Sequence, residues 1–492
     1  MKTRHFLKPT VGFLLLIFSL SCKPEYSIAE NEMDGVWKSI GYGRIANIEA
    51  GEFTLTDVAN ISCIPLMEGD ISDFRDKLKV QNDTLFLEDG INNYLFVRIE
   101  EVPIACQKDS PEYAINQSKA NDPEYNFEVL WNTFKDHYAY FELRNVDPEK
   151  MYSEYCPRVT SKTSEADLFL ILNEMLESFD DGHISISAPD EVEEEARNLY
   201  EEKNENQEIE KETDIELPAE KLRKYKVSEQ VAEKYIPEGK SIKNGNLRWG
   251  IVKNNIGYFQ INQMMGMADY GISDTLSYRD NWVAYFEKLE TVENDNEDEL
   301  QGISKSLDSI MKDLQNTEAL IIDVRFNGGG KDEVGMAVLE RLNNKERIVF
   351  TKKGKMGNGY TPVNKVTQTA WPNAYSKPVY LLIGPESASA TEIMALSSLS
   401  LPNIKRIGSN TEGVFSDVLD KSLPNGWEFG LSSEVYLDLK GNNYEGIGIA
   451  PDVEIGYERD TQKFLRKVVT DLTEEGDKCI QKALELIDGE EV

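Results

Sequence analysis

With 492 residues, 40% of them hydrophobic and 29% charged, the chain is long enough for two to four folded units, and its composition excludes a largely disordered or membrane-embedded protein. Its formal net charge of −35 at pH 7 repels phosphate backbones, which argues against a nucleic-acid partner.

The chain opens with a basic start, Met1-Lys2-Thr3-Arg4, and an apolar run from Val11 to Leu20 that is too short to span a bilayer, the pattern of an export signal. Leu20-Ser21-Cys22 follows and resembles a bacterial lipobox with Cys22 as the acylated residue. Ser19 stands where a lipobox usually has Leu, and a plain secretory signal is the alternative. The expectation for residues 1–22 is therefore export, with a lipid anchor at Cys22 in the bacterial cell envelope. Cys63, Cys106, Cys156 and Cys479 are widely separated and show no C-x-x-C spacing, so no metal or cofactor is expected. Export permits a disulfide, for which Cys63 and Cys106 are the candidates.

Over residues 33–107, alternating stretches such as Thr84-Leu85-Phe86-Leu87, broken by Asn-Asp, Asp-Gly and Asn-Asn turns, predict a small antiparallel β-domain. Residues 120–190 carry apolar side chains at helical spacing, as in Phe127, Leu130, Trp131 and Phe134. Residues 191–246 are acidic, with eleven acidic against three basic residues between Glu191 and Ile215, and read as a linker or helical insertion. Over residues 247–460 strands and helices alternate, which predicts an α/β core, with a hairpin turn at Pro424-Asn425-Gly426-Trp427. An amphipathic pattern from Thr461 to Ile487 predicts one closing helix within residues 461–492.

Three segments carry candidate chemistry. In Phe179-Asp180-Asp181-Gly182-His183, a histidine follows a turn at the end of an amphipathic helix. His137 lies on a helix that reads as packed, which leaves His183 as the candidate imidazole base. The buried strand Ala319 to Val324 runs into Asn327-Gly328-Gly329-Gly330, where a backbone approaches something closely and glycine N–H groups can serve as oxyanion donors; a simple tight turn is the other reading. Gly330-Lys331-Asp332 lacks the spacing of a phosphate loop. In Gly384-Pro385-Glu386-Ser387-Ala388-Ser389-Ala390-Thr391-Glu392, Ser389 sits at a strand-to-helix turn. There the next backbone N–H, that of Ala390, can stabilise a developing oxyanion, although Ser389 with Glu392 also spells a helix capping box with no functional meaning.

Together with Gly408-Ser409-Asn410-Thr411-Glu412-Gly413 and Gly446-Ile447-Gly448-Ile449-Ala450-Pro451-Asp452, these segments resemble the S41 serine peptidases, the family of the tail-specific proteases and the tricorn core protease. The resemblance covers roughly residues 122–457. It implies a multidomain α/β protein whose ββα core is similar to those of Clp peptidase and crotonase, preceded by the helical segment and the β-domain. It implies Ser389 as nucleophile, with Gly328, Gly329 and Ala390 around the oxyanion. In the tail-specific branch a lysine follows the G-x-x-T-x-G segment; here that position is Val414. The chain is therefore closer to the tricorn branch, whose roles of base and orienting carboxylate fall on His183 and Glu445, although that branch places a serine where this chain has Gly182. A PDZ domain, usual in tail-specific members, is not expected in so charged a stretch as residues 191–246. The expected activity is cleavage of peptides or unfolded protein segments through an acyl-enzyme. The alternatives are a catalytically silent binding protein on the same scaffold and, by fold analogy, acyl-CoA chemistry, which an exported protein would not meet.

Overall fold

The computed structural model describes residues 30–208, 222–273, 275–292 and 294–490. The export signal, Cys22 and part of the acidic stretch lie outside the described residues. Among the described residues no helix is long and apolar enough to cross a membrane.

Residues 35–99 form a seven-stranded antiparallel sheet whose strands run in the order Ser62–Asp70, Glu52–Ala59, Arg44–Glu49, Gly35–Ser39, Asn92–Ile99, Thr84–Asp89 and Leu78–Gln81. Asn82 and Asp83 both take positive φ, 51° and 57°, which lets a two-residue turn join the last two strands with the right twist. One face packs Trp37, Ile48, Phe53, Leu85 and Phe96 into a small core. Cys63 and Cys106 are bonded, with Cα atoms 5.2 Å apart, which ties this sheet to the chain that leaves it.

The helical unit contains Pro123–His137, Pro148–Tyr155 and Glu165–Glu177, each started by an Asp or Ser cap at Asp122, Asp147 or Ser164. Its apolar faces meet the hairpin Val418–Ser422/Glu428–Ser432, where Phe134 stacks on Phe429. The short strand Ser185–Ser187, two residues beyond His183, adds to that hairpin with Ser185 opposite Gly430. The described part of the acidic stretch is helical, Asp190–Glu208 and Lys224–Tyr235, and the strand Lys240–Ile242 that follows joins the central sheet.

That central sheet has seven strands in the order Val453–Glu454, Ile404–Gly408, Val379–Ile383, Ala319–Asp323, Ile256–Ile261, Leu247–Ile251 and Lys240–Ile242. The first five are parallel. Three of them, Val379–Ile383, Ala319–Asp323 and Ile256–Ile261, are buried at every residue, as expected of strands covered on both faces. One face packs on the helices Asp295–Leu314, Asp332–Glu340 and Ala390–Ser398, the other on Lys224–Tyr235 and the C-terminal helices. The predicted single C-terminal helix is in fact two, Thr461–Glu474 and Lys478–Glu490. Gly476 (φ 110°) breaks it, and Asp477 both caps the second helix and pairs with the fully buried Arg325 at 2.8 Å.

Candidate active site

Ser389 caps the helix Ala390–Ser398 with φ 53° and ψ −126°, a conformation costly for any residue with a Cβ. Its hydroxyl makes no capping bond. Ser387, by contrast, donates its hydroxyl to Val324 O at 2.8 Å and belongs to the framework. The capping box is not formed, because the Glu392 carboxylate turns away and accepts the N–H groups of Gly413 (2.8 Å) and Val414 (2.6 Å). Gly329 (φ 106°) lies against the serine so closely that a Cβ on it would stand 2.7 Å from Ser389 Cβ. Its N–H donates to Asn327 Oδ1 at 2.9 Å. Among the described residues no backbone acceptor engages the Gly328 or Ala390 N–H, so of the three expected oxyanion donors these two are the ones left to a substrate.

Glu445 is buried, and its Oε2 accepts from Phe415 N (2.9 Å) and Ser416 N (3.3 Å). Four successive N–H groups, Gly413 to Ser416, are thus held by two buried carboxylates, Glu392 and Glu445. Burial raises the pKa of Glu392 to about 8, against the opposing hydrogen bonds, and that of Glu445 to about 7, against Arg144 and the same loop. Each carboxylate is a charge withdrawn from water, and the pair also disfavours itself by mutual repulsion.

His183 reaches the loop on a tight turn in which Asp180 takes φ 51°. Asp181 organises that turn: Oδ1 accepts from His183 N at 3.0 Å and Ser432 Oγ at 2.9 Å, and Oδ2 accepts from Tyr138 OH at 2.9 Å. Burial lowers the imidazole pKa, with Asp181 opposing. The Nδ1 atom is buried without a hydrogen-bond partner. Glu445 and the His183 imidazole both meet the Gly413–Ser416 loop, which Glu392 of the helix begun by Ser389 also holds, but among the described residues no hydrogen bond runs from His183 to Ser389 or Glu445; Glu445 Oε1 accepts instead from Arg144 at 3.2 Å. A cleft of about 510 Å³ beside the His183 turn is lined by Arg144, Asp181, Gly182, Val414 and Gly446, among others. His137 is buried under Gly43 of the β-domain, away from this loop, with its pKa lowered to about 4 by burial. Sequence reading missed Arg144, Asp181 and Asn327, and took Glu392 only as a cap. Among the described residues no cluster of His, Cys, Asp and Glu is arranged to hold a metal ion.

Residues 255–455 match Peptidase family S41, and residues 119–177 match the Tricorn protease C1 domain. Over its α/β core the chain is thus similar to peptidase family S41. Over 155 residues, 30% of this chain, it is 28% identical to a carboxy-terminal-processing protease of Bartonella bacilliformis, and the match spans 35% of that relative's length. A crystal structure from Parabacteroides merdae, provisionally described as a peptidase, shares its fold with a TM-score of 0.52 and 21% identity, over 74% of this chain and 96% of the other.

Proposed function

We propose that the protein is a serine endopeptidase that cleaves peptides or unfolded protein segments, with Ser389 as nucleophile, His183 as base and Glu445 as the carboxylate that supports it. The observation that carries this reading is the strained backbone of Ser389, which points an uncapped hydroxyl from a strand-to-helix turn beside a glycine loop. Ser389 Oγ adds to the scissile carbonyl as His183 takes its proton, and the Ala390 and Gly328 N–H groups receive the oxyanion. His183 then returns the proton to the leaving amine, and water releases the acyl group by the same route. Burial keeps His183 neutral near pH 7, the form a base requires.

Export and anchoring at Cys22 are part of the proposal and rest on the leader pattern; mass analysis of the mature N-terminus tests them. For the activity, purified protein, Ser389→Ala and His183→Ala are incubated with a mixed peptide library and the products read by mass spectrometry. Both variants are expected to lose at least about a thousandfold in rate. Cleavage that survives Ser389→Ala overturns the proposal. The pairing of Glu445 with Arg144 rather than His183 favours the second reading, a silent peptide-binding protein, which moves to the front if wild type binds library peptides and cuts none.

A further inference from the structure

The cation on Glu445 has no counterpart among the residues the motifs single out. Arg144 sits in the turn after Pro123–His137, and its backbone is fixed there: its N–H donates to Tyr140 O at 2.9 Å, while Tyr140 OH donates to Glu434 O at 2.6 Å and Ala139 N to Ser432 O at 3.0 Å. Its guanidinium forks. Nη1 donates to Asp180 O at 2.6 Å, in the turn that carries His183, and Nη2 donates to Glu445 Oε1 at 3.2 Å. The Arg144 side chain is 13% exposed and that of Glu445 is 0% exposed, so the pair lies where water screens little.

We infer that Arg144 is a positioning residue of this site, a planar fork that fastens Glu445 to the His183 turn and sets a positive charge against its carboxylate. The inference rests on the serine peptidase reading and adds to it a residue whose removal changes the protonation of the support rather than the attacking group. The groups that face Glu445 are mostly anionic or neutral: Asp181 from the turn, Glu392 from the nucleophile helix, and the phenols Tyr138 and Tyr140. Arg144 and the Phe415 and Ser416 N–H groups act the other way. Lysine, with one compact ammonium, keeps the charge but cannot bond both acceptors in the same plane.

The test compares wild type, Arg144→Gln and Arg144→Lys on one peptide that wild type cuts, as kcat/KM from pH 5.5 to 9.5. Glu445 must be ionised to support an imidazolium, and loss of the cation raises its pKa. The acid limb of the Gln variant is therefore expected to move up by about one unit from a Glu445 pKa of about 7, with a loss of about fivefold at pH 7 that shrinks towards pH 9. The Lys variant should keep the wild-type limb. A limb that does not move in the Gln variant, whatever the loss in rate, overturns the inference and makes Arg144 a packing residue.

A second measurement needs no activity. In a denaturation cycle of Arg144→Gln with Glu445→Gln, the coupling should be at least about tenfold in the unfolding constant at pH 8.5 and under about twofold at pH 5.5, where Glu445 is protonated. Equal coupling at both pH values overturns the inference. A wild type that cuts nothing but shows the pH-dependent coupling sinks the peptidase reading and leaves the Arg144 contact standing.

Discussion

The two halves of the site are built differently. On the serine side every group is fixed from within the α/β core: Gly329 abuts Ser389, Asn327 pins the Gly329 N–H, and Glu392 pins Gly413 and Val414. On the histidine side the turn is borrowed from the helical unit and registered through Ser185 on the hairpin and Asp181 on Ser432, while the imidazole itself has an unpartnered Nδ1. Under the proposed roles, the difference teaches that the nucleophile and oxyanion donors are preorganised, and that alignment of the base depends on how a second unit docks.

Glu445 bonds to both sides, to Phe415 and Ser416 in the core and through Arg144 to the histidine turn, so it breaks the comparison hardest. Glu445→Gln keeps an acceptor for Phe415 and Ser416 and removes the charge. It is expected to lower kcat/KM by about a thousandfold or more, as neutralising the acid of a triad does. Peptidase activity within about tenfold of wild type assigns the histidine's support to Asp181, the carboxylate nearest in its turn.

Glu392 tests how much the serine side spends on its own order. Its folded pKa, about 8, lies above the ordinary carboxylate value, so the folded state holds a proton that the unfolded state releases. The stability cost of Glu392 is therefore absent below about pH 4.5 and grows as pH rises to 8, to several kcal/mol at about 1.4 kcal/mol per unit. Glu392→Gln does not titrate. Urea unfolding should find the variant gaining on wild type as pH rises from 5 to 8; a gap that stays constant means the carboxylate is solvated or paired more strongly than its bonds to Gly413 and Val414 suggest.

Much of this architecture is written locally. The central parallel strands Ala319–Asp323 and Val379–Ile383 are nearly continuous apolar runs, the β-domain alternates, and its Asn82-Asp83 turn is explicit in the residues. What escaped is non-local or ambiguous. One glycine, Gly476, splits the last helix with the help of an Asp477–Arg325 pair spanning 152 positions. The helix Asp295–Leu314 begins in an acidic stretch that hides its apolar stripe. At the site, Ser389 and His183 carry motif signals, whereas Arg144 meets its partner across 301 positions with nothing in its neighbourhood to mark it. Glu392 fits a capping box in sequence and clamps a distant loop in space, because a buried carboxylate goes where the most N–H groups are.

Gly182 sharpens the comparison from the histidine side. It is not among the glycines in the left-handed region, and a Cβ there would meet the Val414 methyls at 3.6 and 3.7 Å, ordinary contact distances. Gly182→Ser therefore fits without strain and offers the hydroxyl that the tricorn-like pattern has beside its histidine. A rise in kcat of up to about tenfold is expected if that hydroxyl orients the imidazole, the scale of one added hydrogen bond. An unchanged rate in steady-state assays means Asp181 already supplies the orientation through the backbone.

The last test concerns the strain on which Ser389 is mounted. Replacing alanine by glycine usually destabilises a fold by about 0.5–1 kcal/mol, because glycine gives the unfolded chain more freedom. At position 389 the backbone, φ 53° and ψ −126°, is open to glycine and strained by about 1–3 kcal/mol for alanine or serine. The two terms oppose, and the strain is the larger. Ser389→Gly should thus be at least as stable as Ser389→Ala in chemical denaturation, by up to about 2 kcal/mol once the entropy term is subtracted, although both lack the hydroxyl. If the alanine variant is the more stable by the usual margin, the turn holds no strain and the serine side owes its geometry to Glu392 and the glycine loop alone.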